Sequence, residues 1–139
     1  MQPPSFSLIF FVLVALGTSQ FLSCVAMDNI TSISRLQDDG STLMSAGKIF
    51  ELGFFSPDGN DVETYLGIWY YLRKTVVWVA NRDKPILHSY GYLSIGEDGN
   101  LKLLDEMGTS YFNTTLESSS PVNRMLKLLD SGNLVLIDG

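Results

Sequence analysis

The segment Asp98-Gly-Asn-Leu-Lys-Leu-Leu-Asp105 returns as Ser131-Gly-Asn-Leu-Val-Leu-Ile-Asp138, an offset of 33 residues. The correspondence extends upstream, pairing Leu93 with Leu126 and Ile95 with Leu128. Each copy reads as an apolar strand, a tight Gly-Asn turn and a second apolar strand. A lone hairpin cannot bury its own apolar face, so copies of this unit must stack around a shared core. A third, weaker copy stands in Ile49-Phe-Glu-Leu52, which aligns with Asn100-Leu-Lys-Leu103.

The rest of the chain carries the same chemistry: short runs of Val, Ile, Leu and aromatics between clusters of Gly, Asn, Asp and Ser. That pattern predicts an all-β fold. The expected strands are Ile49 to Ser56, Tyr65 to Tyr71, Thr75 to Ala80, Tyr92 to Ile95, Leu101 to Leu104, Ser110 to Asn113, Met125 to Leu129 and Leu134 to Ile137. Phe50, Leu52 and Phe54 share one face by their period of two, with Glu51 and Gly53 on the other. Thr75-Val-Val-Trp-Val-Ala80 is apolar on both faces, which predicts a strand covered on both sides at the centre of the core. Ser56 to Asp61, Gly96 to Asn100 and Asp130 to Asn133 hold residues that accept turns and positive φ, and are expected as hairpin turns.

Residues Ser5 to Gly17 form an apolar run followed by small residues up to Cys24-Val25-Ala26. The run is short for a membrane span, no charged residue follows it until Asp28, and residues 1–26 are expected to be a signal peptide cut near Ala26. The sole cysteine lies in this segment, so the mature chain, residues 27–139, relies on packing without a disulfide. It is long enough for one domain burying about 60 to 65% of its unfolded surface. The sequons Asn29-Ile-Thr31 and Asn113-Thr-Thr115 agree with export and are expected N-glycosylation sites. Nine Lys and Arg against fifteen Asp and Glu give a net charge of −6, which argues against nucleic acid and anionic membrane surfaces as partners. No further membrane span follows in the mature chain. His88 is the single histidine, so no metal site is expected, and no phosphate loop, nucleophile elbow or zinc motif points to an enzyme or a cofactor. The acids Glu97-Asp98 and Asp105-Glu106 are expected to serve turns.

Phe50-Glu-Leu-Gly-Phe-Phe-Ser-Pro57, Tyr65-Leu-Gly-Ile-Trp-Tyr70, Thr75-Val-Val-Trp-Val-Ala-Asn-Arg-Asp83 and Leu128-Leu-Asp-Ser-Gly-Asn-Leu-Val-Leu136, in this order, resemble the bulb-type lectin domain. More narrowly, they are similar to the amino-terminal part of plant S-locus glycoproteins and G-type lectin S-receptor-like serine/threonine kinases. The resemblance spans Met27 to Gly139. It implies a β-prism of three antiparallel four-stranded sheets about a pseudo-threefold axis, with Trp78 and Phe112 as aromatics packed near that axis. It also implies a chain continuing beyond Gly139 into a strand that completes the third unit, so the last unit is expected to be incomplete and its sheet edge unpaired. A piece of a receptor kinase is preferred to a short secreted lectin, at the cell surface or secreted in either case; the kinase portion is not in this chain.

The resemblance also implies where sugar would bind. Mannose-binding relatives carry Gln-x-Asp-x-Asn-x-Val-x-Tyr, whose spacing by two puts the polar groups on one strand face. Aligned on Asn100, this chain keeps only Asp98 and Asn100; aligned on Asn133, it keeps Asn133 and Val135. These four are the candidate carbohydrate residues, degraded by the missing Gln and Tyr, and a turn role is preferred for both asparagines. Arg82 and Asp83 are expected to pair or cap a turn. Trp69, Trp78 and Phe112 are assigned to the core. Two readings stay open: a non-catalytic glycan-binding module for mannose-type ligands, or a lectin-derived scaffold that contacts proteins or its own copies.

Overall fold

A computed structural model describes residues 25–117 and 123–139, so the expected signal run up to Cys24 lies outside the described residues. The described strands are β1 (Ala26–Met27), β2 (Ile30–Thr31), β3 (Arg35–Gln37), β4 (Thr42–Met44), β5 (Phe50–Phe55), β6 (Glu63–Tyr70), β7 (Val76–Val79), β8 (Ile86–Leu87), β9 (Gly91–Ile95), β10 (Leu101–Asp105), β11 (Ser110–Asn113), β12 (Arg124–Leu128) and β13 (Leu134–Asp138). They form three sheets. The first runs β1-β4-β5-β6-β7 with β8 also on β6, the second β11-β10-β9-β3, and the third β13-β12-β2. All eight expected strands form, with ends moved by at most two residues. The five strands the pattern did not predict, β1 to β4 and β8, are two or three residues long and borrow their ladders from longer neighbours. β1 pairs β4 in parallel, a departure from purely antiparallel sheets.

The repeat has a geometric counterpart. In β9–β10, Ile95 faces Leu101 and Leu93 faces Leu103; in β12–β13, Leu128 faces Leu134 and Leu126 faces Leu136. The hairpins thus share one register, and each sends the same alternate leucines inward. On the inner face of the second sheet the pairs Leu36–Leu93, Leu93–Leu103 and Leu103–Phe112 make one continuous row. The three leucines of this row are fully buried, each stabilising by about 1.5 to 3 kcal/mol. The Phe112 ring at its end meets Trp78 edge to face, with centroids 6.0 Å apart at 87°. This contact joins the first and second sheets.

The hairpin turns lock one unit to the next. Gly99 has φ +79° and lies so close to Arg124 that a Cβ would stand 2.8 Å from Nη1. Arg124 Nη1 in turn donates to the Gly99 carbonyl at 3.0 Å, and its Nε pairs with Asp138 at 2.9 Å. Gly132, with φ +87°, packs on the Phe50 ring, while Asp130 accepts from the Gly47 N–H at 2.8 Å.

Two expectations for the first sheet are corrected. The strand at Thr75 to Ala80 is not the centre of the core: β7 is an edge, and Val76 and Val77 are 41% and 46% exposed. An apolar β-branched run satisfies an edge as well as a centre, and the covered position belongs to β5 and β6. There Glu51 and Gly53, on the face opposite Phe50, Leu52 and Phe54, are buried as well because Trp69 packs over them; a Cβ on Gly53 would lie 2.8 Å from Trp69 Cη2. Trp69 is buried as expected, but on the outer face rather than in the apolar core. Its Nε1–H donates to Glu51 Oε2 at 2.8 Å, and Lys74 closes on the same oxygen at 3.0 Å.

Candidate functional site

On the outer face of the second sheet, register places side chains in two rows. One is Arg35, Ser94, Lys102 and Asn113; the other is Gln37, Tyr92, Leu104 and Ser110. The candidate residues Asp98 and Asn100 precede β10 at the end of this face.

Both are engaged within the protein. The Asn100 N–H donates to Asp98 Oδ1 at 3.0 Å, and Lys102 Nζ stands 3.3 Å from Asp98 Oδ2. The bonds from Asn100, with those from Lys102, hold the Asp98 carboxyl below its ordinary pKa against a weaker opposing effect of burial. Asn100 is buried. Its Oδ1 accepts from the Thr114 hydroxyl at 3.0 Å and from the Leu116 N–H at 2.7 Å. The Thr114 hydroxyl also accepts from the Leu101 N–H at 2.9 Å, so the chain leaving β11 is laid directly across Asn100. The backbone of Asn100 serves the turn as expected, its carbonyl accepting from the Gly96 N–H at 2.8 Å. The use of its side chain was not foreseen.

In the third sheet Ser131 and Asn133 are exposed and Val135 is half-buried. Asn133 closes the turn through its carbonyl, which accepts from the Leu129 N–H at 2.9 Å. Where the sugar motif places Gln and Tyr, this sheet presents the exposed side chains of Leu129 and Ile137.

At the end of the second sheet's outer face away from the turn at Gly96 to Asn100 lies a cleft of about 670 Å³, lined among others by Arg35, Gln37, Asp39, Tyr90, Tyr92 and Glu106. Tyr92 is the cross-strand neighbour of Leu104, the position that is Tyr in the sugar motif. An aromatic ring is thus retained on this face, one strand over. The Arg35 guanidinium sits 4.7 Å above the Tyr92 ring, while Tyr90 is 65% exposed at the rim. Asp38 is half-buried in the same cleft, and its carboxyl is pushed up by burial and then by the charges of Asp61 and Asp39.

Other groups singled out in the sequence hold structure. Asp105 accepts from the N–H groups of Met107 and Thr109, each at 2.9 Å, and from the Tyr111 hydroxyl at 2.8 Å. In the Asn81-Arg82-Asp83 run it is Asn81 that organises the loop: buried, it accepts from the Leu66 N–H at 2.9 Å and donates to the carbonyls of Thr64 and Lys84. Arg82 and Asp83 are exposed and take part in none of the ion pairs among the described residues. His88 is an exposed loop residue at φ 51°. Among the described residues no three of His, Cys, Asp and Glu are placed to share a metal ion.

Three β-sheets with no helix among the described residues, two of them built on the same hairpin in the same register, are the fold of a bulb-type lectin domain, and this chain carries one. The family of D-mannose binding lectins matches it over residues 75–139. A G-type lectin S-receptor-like serine/threonine-protein kinase of Arabidopsis thaliana is 52% identical over 102 residues, 70% of this chain and 12% of the kinase. An S-locus-specific glycoprotein of Brassica oleracea is 38% identical over 144 residues, 96% of this chain and 31% of the glycoprotein. The chain therefore spans less than a third of the length of these relatives, and the domain it carries is non-catalytic. A lectin from Allium sativum has the same fold, with a TM-score of 0.60 at 18% identity, over 80% of this chain and 93% of the lectin. No helix among the described residues is long and apolar enough to cross a membrane.

Proposed function

We propose that this domain is the extracellular recognition module of an S-domain receptor kinase or secreted glycoprotein, and that it takes glycans on the outer face of its second sheet. The observation that supports this is the cleft at Tyr92, whose cross-strand neighbour Leu104 holds the tyrosine position of the degraded motif. Sugar recognition needs an aromatic face for the C–H surface and planar polar groups for the hydroxyls. Tyr90 and Tyr92 supply the first, and Gln37, Asp39 and Glu106 the second. The Asp98–Asn100 and Asn133–Val135 positions are not the glycan contacts in this reading, because the first pair is bonded internally and the second lacks its Gln and Tyr. The test is a glycan array with the secreted domain, repeated for Tyr92→Ala and Gln37→Ala. Saturable binding lost in both variants supports the reading, and binding that survives in both refutes it.

A second reading, a scaffold for protein contacts, is favoured by the exposed Val76 and Val77 on the edge strand β7. Such an edge offers unpaired backbone groups flanked by apolar side chains. An array on which no glycan binds, together with concentration-dependent association abolished by Val77→Lys, selects this reading.

A further inference from the structure

Asn113 is the last residue of β11, the edge strand of the second sheet, and its side chain is exposed. Its cross-strand partner is Lys102. Directly opposed residues in an antiparallel pair share a face and hold their Cβ atoms about 4.5 to 5.5 Å apart. Asn113 therefore stands on the outer face, beside the lysine whose Nζ is bonded to Asp98. The chain that follows Asn113 is held in place. The Thr114 N–H donates to the Leu101 carbonyl at 3.0 Å, and the Thr114 hydroxyl and the Leu116 N–H are both held by Asn100. Asn113-Thr114-Thr115 is an acceptor sequon, and Thr115, whose hydroxyl the sequon requires, is exposed.

We propose that Asn113 carries an N-linked glycan that lies over Lys102 and Asp98, so that the face on which mannose-binding relatives take an external sugar is covered in this chain by a sugar of its own. Asn100 then has a purpose consistent with its burial: it anchors the segment that bears the glycan. The inference goes beyond the binding reading above and does not depend on it, since the cleft at Gln37 and Tyr92 lies two strands away from β11 and remains accessible.

The experiment uses the full chain secreted from a eukaryotic host. Glycopeptide mass spectrometry reports the occupancy of Asn113, and the rate of Lys102 acetylation by an activated ester is compared between the glycosylated protein and Asn113→Gln. Lys127, on the third sheet, is the internal reference. The expected result is an occupied Asn113 and several-fold slower acetylation of Lys102 in the glycosylated protein, with Lys127 unchanged. Thr115→Ala, which removes the sequon but leaves Asn113 in place, must give the same acceleration, and it serves as the comparison where Asn113→Gln does not fold. An unmodified Asn113, or equal Lys102 rates with and without the glycan, overturns the proposal.

Discussion

Asn100 holds Thr114 across the end of the second sheet: its Oδ1 takes the Thr114 hydroxyl proton at 3.0 Å and, on the same oxygen, the Leu116 N–H at 2.7 Å. The asparagine read from the sequence as a candidate sugar contact is a clamp for the protein's own chain.

Replacing that oxygen should therefore destabilise the fold. Asn100→Ala leaves two donors without their acceptor in a partly buried setting and is expected to cost about 1 to 2 kcal/mol, where Asn133→Ala, at an exposed position, stays within about 0.5 kcal/mol. Urea denaturation of the two variants beside the parent measures the difference. Equal midpoints for all three proteins would show that the clamp is not holding anything.

The contact between Trp78 and Phe112 predicts a graded response. Phe112→Ala opens a void at the end of the leucine row and is expected to cost about 2 to 4 kcal/mol, Phe112→Leu less, with the near-ultraviolet dichroism of Trp78 reduced in both. Leu103→Ala, in the fully buried middle of that row, should cost about 2 to 5 kcal/mol without reaching Trp78 directly. Thermal unfolding and near-ultraviolet spectra separate the two cases.

The bond between Tyr111 and Asp105 predicts a pH signature at both extremes. Burial, the hydrogen bond to Asp105 and its charge push the Tyr111 hydroxyl up to about 12 from an ordinary 10.0. A raised folded value means that the stabilisation is complete below pH 10 and fades as the pH climbs through about 12. Burial alone would raise the Asp105 carboxyl, but the bonds from Tyr111, Thr109 and Met107 outweigh it and hold it below 3.8. That contribution is complete above the unfolded value and is lost as the pH falls beneath it. The stability gap between the parent and Tyr111→Phe should be constant near neutrality and shrink at both ends; a gap independent of pH would disprove the coupling.

The eight longer strands and the turns between them were readable because a two-residue period and Gly-Asn punctuation encode them locally. Leu93, Leu103, Leu126 and Leu128 point where that period sends them. What escaped was set by contacts across many residues. Asn100 meets Leu116 only after a whole hairpin has closed, and Asn81 reaches Leu66 across the β6–β7 connection. Glu51 is buried only because Trp69, 18 residues on, folds over it. The cleft at Gln37 and Tyr92 was invisible for the same reason: β3 carries no hydrophobic pattern of its own, and only its pairing with β9 brings Arg35 and Gln37 beside an aromatic ring. Of the two roles open to Arg82 and Asp83, an ion pair or a turn cap, the ion pair did not form, and the buried amide of Asn81 bonds across that loop.

Because Asp98 and Asn100 are bonded to the protein's own chain, neither is expected to take an external mannoside. A titration of the isotopically labelled domain with methyl α-mannoside, followed through the backbone amides of Asp98, Asn100 and Lys102 and the side-chain amide of Asn100, tests it most directly. No saturable shift is expected at any of these groups, and the Leu116 amide should stay unchanged and slowly exchanging. Saturable shifts centred on Asn100, with faster exchange at Leu116 as its bond is released, would contradict it.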